Sequence, residues 1–103
     1  MNITFDEQIS WTPALEGVVT WATVDGNKVG CVLEGRVIAE YFAVENKRGR
    51  IKHAYLVNRA FLEEIVRDAI ERGMVDERNE LLLGKRELAP YFEKRAASVV
   101  SRK

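Results

Sequence analysis

The 103-residue sequence is poor in the residues that build many catalytic and metal sites, since it contains one cysteine and one histidine. A single cysteine cannot form a disulfide within the chain, and it excludes a zinc site with several cysteine ligands. A single histidine excludes every motif that needs two. Long apolar runs are also missing: the densest, residues 18–24, includes two threonines, whereas a membrane-spanning helix needs about 20 apolar residues.

Net charge is absent as well, because sixteen lysines and arginines balance sixteen aspartates and glutamates. This balance excludes a generally basic nucleic-acid-binding protein and a strongly acidic tail. The charges are nevertheless uneven: residues 1–46 carry two basic and seven acidic residues, and residues 47–103 carry fourteen basic and nine acidic ones. The two halves can therefore attract each other within one fold or between two copies, although strand-rich and helix-rich segments also differ in their surface residues.

A composition of 47% hydrophobic and 31% charged residues is typical of a small folded domain. The length is that of one domain, which buries about 60–70% of its unfolded surface and needs no metal or disulfide. The first residues contain neither a basic region nor a long apolar region, so they do not resemble a signal peptide. We therefore expect a cytoplasmic protein without membrane contact.

The first third of the chain has the pattern of strands. Residues 3–5 alternate apolar and polar side chains, which indicates a short half-buried strand, and residues 6–17 are predicted to be a connection. Residues 18–24 are rich in β-branched and aromatic residues, as strands are. The sequence Asp25-Gly26-Asn27 then predicts a tight hairpin turn, with residues 28–33 as the returning strand.

The rest of the chain favours helices. Residues 36–44 have apolar residues at helical spacing, and residues 45–52 are predicted to be a basic loop. Residues 53–72 show the clearest amphipathic pattern and predict one long helix. Residues 80–83 are apolar but too few for a helix, so a strand is predicted there. Residues 87–100 predict a C-terminal helix with an apolar stripe.

This order of elements is not a regular alternation of strands and helices, and it predicts an α+β fold. We expect a small, mainly antiparallel sheet of about four strands covered by one long helix, together with a short helix and a C-terminal helix. Residues 1–86 are predicted to form the domain. Residues 87–103 are predicted to be a helical extension with a basic end.

Several segments in this order resemble a known family. They are Ile3-Thr4-Phe5, Val19-x-Trp21-x-x-x-Asp25-Gly26-x-x-Val29-x-Cys31, Ile38-x-x-x-Phe42, Phe61 with Glu64-Ile65, and Leu81-Leu82-Leu83. Over residues 1–86 the pattern is similar to that of the bacterial domain of unknown function 1488 family. The chain differs in having Trp21 where a phenylalanine is expected, and its tail extends beyond the pattern. The resemblance implies a compact α+β domain of the bacterial cytosol, and it implies no activity or site residue.

The residues capable of nucleophilic chemistry favour a structural role. Cys31 would need a lowered pKa and a nearby base to act as a nucleophile. It shares a strand face with Val29 and Leu33, which favours a small buried hydrophobic residue. His53, the one histidine, begins the predicted long helix and is expected to be a solvated or capping residue.

Other catalytic or cofactor patterns are weaker still. Four carboxylates of the predicted long helix lie among arginines on its polar side, which predicts a solvated, ion-paired face; they are Glu63, Glu64, Asp68 and Glu71. The segment Gly30-x-x-x-x-Gly35-Arg36-Val37 lacks the lysine and the hydroxyl residue of a phosphate-binding loop. We therefore expect no catalysis, no cofactor and no metal.

Two surfaces remain as candidates for binding. The first is a basic patch of four residues: Lys47, Arg48, Arg50 and Lys52. Together with Lys94, Arg95, Arg102 and Lys103 it can bind phosphate groups, but no base-reading helix or aromatic platform is recognisable. The second is the apolar stripe of the tail helix, which packs on its own sheet or on a partner; it comprises Leu88, Tyr91, Phe92, Ala96 and Val99.

The sequence therefore predicts a non-catalytic binding or regulatory accessory module whose partner is another protein or a second copy of the chain. The alternative is a weak nucleic-acid-binding regulator that uses the basic patch and the basic tail.

Overall fold

The strands and helices follow from a computed structural model, which describes the backbone of residues 1–101 and the side chains of residues 1–96. Its five strands are β1 (Ile3–Phe5), β2 (Ser10–Thr12), β3 (Gly17–Val24), β4 (Asn27–Glu34) and β5 (Glu80–Leu83). Its four helices are α1 (Gly35–Phe42), α2 (Arg48–Val57), α3 (Arg59–Glu71) and α4 (Lys85–Ser101). This combination confirms the predicted α+β fold class.

The five strands form one sheet in the order β1-β3-β4-β5, and β2 also pairs with β3. Strands β1 and β2 both run antiparallel to β3, and β3 and β4 form the predicted hairpin. Asp25 and Gly26 have φ values of 49° and 88°, so both central residues of the hairpin turn have the positive φ that a tight turn requires. Only β4 and β5 are parallel, so the sheet is mainly antiparallel as predicted.

The helices lie on one face of the sheet. Because side chains alternate along a strand, every second residue of β3 and β4 points towards the helices. These inward side chains form a single core with buried residues of all four helices. They are Val18, Thr20, Ala22, Val29, Cys31 and Leu33. The side chains between them point to the opposite face of the sheet.

Strand β2 corrects the prediction that residues 6–17 form only a connection. Ser10 pairs with Val19 and Thr12 with Gly17, so this segment adds a fifth strand to the expected four. A strand of three residues is too short for its alternation to be recognised in the sequence. The side chain of Trp11 is half-buried against the core and holds the segment in place.

The predicted long helix is in fact two helices, α2 and α3, and α2 begins within the predicted basic loop. Asn58 separates them, because its backbone departs from helical geometry (φ −107°, ψ 24°). Its side-chain amide donates to the Ala54 carbonyl (2.9 Å). The amphipathic pattern continues across this break, which hides it in the sequence. Residues 48–52 are helical because Ile51 is buried in the core.

Helix α4 packs against the same core as the rest of the chain. Leu88 is fully buried and Phe92 nearly so. At the start of the helix, the Glu87 carboxylate accepts a hydrogen bond from the Gly84 backbone (2.8 Å), which satisfies one free N–H group. The division of the chain after residue 86 stays a prediction, but the first two turns of α4 contribute to the core of residues 1–86.

Candidate functional site

Cys31 lies fully buried on the inward face of β4, where the sequence places it. Its thiol is 3.9 Å from the Val29 carbonyl. Burial raises the pKa of the Cys31 thiol from 9.0 to about 12, because the thiolate is poorly solvated in the core. At neutral pH the group is therefore a protonated, inaccessible thiol, which is the opposite of what nucleophilic catalysis requires.

The buried thiol makes the stability of the protein sensitive to alkaline pH. Since the pKa is raised in the folded state, the unfolded state releases its proton first, and stability falls as pH rises above 9. We expect the Cys31 contribution to fall by about 1 kcal/mol between pH 9 and pH 10. Denaturation of the wild type and of Cys31→Ala at both pH values measures this. Equal pH slopes for the two proteins would contradict the prediction.

The other residues with catalytic potential, His53 and the four carboxylates, lie on helices α2 and α3. His53 is exposed on α2. Of the helix carboxylates, Glu63 pairs with Arg59 (2.8 Å) and Asp68 with Arg72 (3.3 Å), and the Tyr91 hydroxyl donates to Asp68. Glu64 and Glu71 are exposed. In the described part of the chain, no group of three or more histidine, cysteine or acidic side chains is placed to hold a metal ion.

The basic patch lies at the start of α2 and not in a loop. Glu45 pairs with two of its members, Lys47 (3.2 Å) and Arg50 (3.9 Å). Arg48 is exposed and Lys52 is half-buried. Arg48 borders a groove beside Glu34, whereas Lys52 borders a different groove beside Arg59. The four cations are therefore spread over the start of α2, and one carboxylate offsets part of their charge.

The apolar stripe of α4 is largely used within the chain. The Phe92 ring stacks on Tyr41 with 4.2 Å between the ring centres, and Leu88 is fully buried. Tyr91 is half-buried beside Asp68, and Ala96 is exposed at the rim of an apolar groove of about 580 Å³. The side chain of Val99 lies outside the described residues. The role of the stripe as an interface stays a prediction, and Tyr91 and Ala96 are its more accessible described members.

A different surface has the features of a binding site, namely the face of the sheet opposite the helices. We call its apolar side chains the open face: Val19, Trp21, Val32 and Leu82. Val32 of β4 lies between Val19 of β3 and Leu82 of β5, so the three form a continuous row across the sheet. Trp21 and Leu82 are 38% and 56% exposed, so two large apolar side chains of neighbouring rows face the solvent.

The next row of the open face ends at the exposed Glu80 of β5 and contains Trp21 and Gly30. They are paired in register, and a Cβ atom on Gly30 would lie 2.9 Å from the Trp21 ring. The indole therefore extends across the glycine. A larger residue at position 30 would push the ring away from the surface.

The sequence of β3 contains a signal for the open face. Apolar residues in β3 occupy both faces of the strand and do not alternate strictly with polar ones. Such a run is typical of a strand that is covered on both sides. Here the helices cover one side only.

None of the helices in the described part of the chain has the length and apolarity that crossing a membrane requires.

These features define a two-layer α+β domain with helices on one face of a mixed sheet and exposed apolar residues on the other. The family described as protein of unknown function (DUF1488) matches residues 3–83, and the chain belongs to this family. The resemblance recognised in the sequence is thereby confirmed.

A solved structure shares the fold. It is the crystal structure, at 1.60 Å resolution, of a protein of unknown function from the DUF1488 family of Shewanella loihica PV-4. The two chains superpose with a TM-score of 0.72 and are 23% identical, and the match covers 81% of this chain and 94% of the other. No curated protein matches the chain.

Proposed function

We propose that this chain is a cytoplasmic, non-catalytic accessory module that works by binding another protein chain, and that it forms a homodimer. The open face carries this proposal. A sheet face in water usually bears polar side chains, whereas this one presents a row of Val19, Val32 and Leu82 beside Trp21. Exposed apolar patches of this kind mark protein interaction sites.

The absence of catalysis in this proposal is supported by the state of the reactive groups. Cys31 is buried with a raised pKa, so it is a poor nucleophile. The carboxylates of Glu63 and Asp68 are paired with Arg59 and Arg72 of the same helix.

Mass in solution as a function of concentration tests the homodimer. We expect the full chain to change from a monomer of 11.8 kDa to a species of twice that mass as its concentration rises from about 1 µM to about 1 mM. Sedimentation equilibrium measures this mass independently of shape. A mass of 11.8 kDa at every concentration would refute the homodimer.

The alternative function, weak binding of nucleic acid, is favoured by one observation. The basic patch lies at the start of α2, whose first turn has no acidic residue and whose free N–H groups add positive potential. Against it, Glu45 pairs with Lys47 and Arg50.

Charge reversal separates this alternative from the main proposal. If the alternative is correct, the double variant Arg48→Glu, Arg50→Glu loses retention on duplex DNA, and its binding depends less steeply on salt. Arg86→Glu is the control, because Arg86 is exposed at the start of α4, outside the patch. Equal retention of both variants and the wild type would exclude this use of the patch.

A further inference from the structure

We infer that the open face is the homodimer interface, and that two copies pack there sheet against sheet. The strands of one copy run in the opposite direction to those of the other, an arrangement that we call end for end. This inference rests on the proposed homodimer and specifies its surface and geometry. Two sheets stack about 10 Å apart, with the side chains of their facing surfaces interlocked. The open face offers such a surface, since the four helices occupy the other side of the sheet.

The order of charges along β4 indicates that the occupant is a second copy. The side chains of β4 that point to the open face are Lys28, Gly30, Val32 and Glu34. A cation thus lies at one end of the strand, an anion at the other, and apolar positions between them. When a second copy is turned end for end, Lys28 of each copy lies opposite Glu34 of the other. The same face is then complementary to itself, as a two-fold interface requires.

The neighbouring charges follow the same rule. Lys28 pairs with Asp6 (2.9 Å) at one end of the face, and Glu34 pairs with Arg36 (3.1 Å) at the other. The end-for-end arrangement brings the Lys28–Asp6 pair of each copy to the end that carries the Glu34–Arg36 pair of the other, so that Lys28 and Glu34 meet with opposite signs. With the strands of both copies in the same direction, each lysine would instead face a lysine, and repulsion would disfavour the contact.

The apolar positions of β3 and β4 also match in this arrangement. Val19 and Val32 form one row across β3 and β4, and Trp21 and Gly30 form the adjacent row. Turning one copy end for end places Val19 of each copy against Trp21 of the other, and Val32 against Gly30. On β5 it places Leu82 of each copy against Glu80 of the other. Trp21 then packs against apolar side chains of the other copy. Tryptophan is a residue type that is enriched at protein interfaces.

The size of the open face predicts a weak dimer. Four strands about 4.8 Å apart and the length of β3 give a face of about 500 Å² per copy. Two such faces bury about 1,000 Å² in total, which is near the lower limit for a specific interface. We therefore expect a dissociation constant in the micromolar range or above, so that the monomer–dimer change falls within the concentrations named above.

A first pair of variants tests the surface. Val32→Lys places a charge at the centre of the open face, and we expect it to weaken the dimer about 100-fold. Val57→Lys is the matched control, since Val57 is 68% exposed on α2 and lies away from the open face. We expect it to dimerise as the wild type does. Circular dichroism establishes that both variants are folded.

A charge exchange tests the arrangement with substitutions at surface positions that leave the core intact. We expect Lys28→Glu and Glu34→Lys each to weaken the dimer about tenfold, because each places like charges opposite one another. The double variant Lys28→Glu, Glu34→Lys restores opposite charges between copies and should recover wild-type affinity within about threefold. Lys28→Glu also removes the exposed ion pair with Asp6, and Glu34→Lys removes the one with Arg36. Exposed ion pairs of this kind contribute little to stability.

The outcomes separate this inference from the proposed function. A wild-type chain that stays monomeric refutes the homodimer itself. A dimer that Val32→Lys leaves intact refutes the open face as its interface, while the homodimer stands. Single charge variants that weaken the dimer without recovery in the double variant refute the end-for-end arrangement.

Discussion

Replacing Phe92 with alanine should lower the free energy of unfolding by about 3–5 kcal/mol. Phe92 is 8% exposed and lies at the centre of an aromatic cluster. Its ring stacks on Tyr41 and meets the edges of Phe42 (5.2 Å) and Phe61 (5.3 Å). Removing the ring loses these contacts and opens the core to the adjoining groove. Denaturant unfolding followed by circular dichroism measures the change.

Glu93→Ala is the control for this substitution. Glu93 is the next residue of α4 and is exposed, so its replacement should change stability by less than about 0.5 kcal/mol. A cost of under about 1 kcal/mol for Phe92→Ala would mean that α4 is weakly attached to the core. In that case the apolar stripe of α4 would be available to bind a partner, which is the second role that the sequence permits.

Replacing Gly35 with alanine should destabilise the protein by about 2 kcal/mol, although alanine is the better helix former. In the first turn of α1, a Cβ atom at this position would lie 2.7 Å from the Glu16 carbonyl oxygen and 2.9 Å from the Trp11 ring. Alanine gains up to about 1 kcal/mol in helix propensity. Displacing backbone and an indole in a packed core costs about 1–3 kcal/mol, and the Gly35 N–H bond to Glu16 also weakens.

Gly49→Ala is the matched control, because Gly49 also lies in the first turn of a helix, α2. No atom approaches a Cβ at position 49 within 4 Å, so only the gain in propensity remains. We expect this substitution to stabilise the protein by about 0.5–1 kcal/mol. Thermal or denaturant unfolding of the two variants gives shifts of opposite sign. Stabilisation by both alanines would show that the contacts around Gly35 can relax.

Local signals were sufficient for several elements of the fold. The pair Asp25-Gly26 determines the β3–β4 hairpin, because few other residues adopt positive φ at both positions of a tight turn. The alternation of residues 3–5 and the short apolar run of residues 80–83 identify β1 and β5. The burial of Cys31 also follows from its place beside Val29 and Leu33 on one strand face.

The elements that the sequence did not reveal depend on contacts between distant segments. Strand β2 exists because residues 10–12 meet the edge of β3, and the short segment has no pattern of its own. The break at Asn58 lies in its backbone conformation (φ −107°, ψ 24°), which the sequence does not reveal because the apolar spacing continues on both sides of it. The start of α2 depends on Ile51, which is buried in the core.

The sequence by itself therefore determined the fold class, the hairpin and the family, since these follow from turn chemistry, side-chain alternation and an ordered set of motifs. The tertiary structure alone decided which surface is available for binding. Leu88 and Phe92 are buried in the core, whereas Trp21 and Leu82 are exposed. All four are large and apolar, and their difference arises from where the helices pack. The helices cover one face of the sheet, and the other stays uncovered.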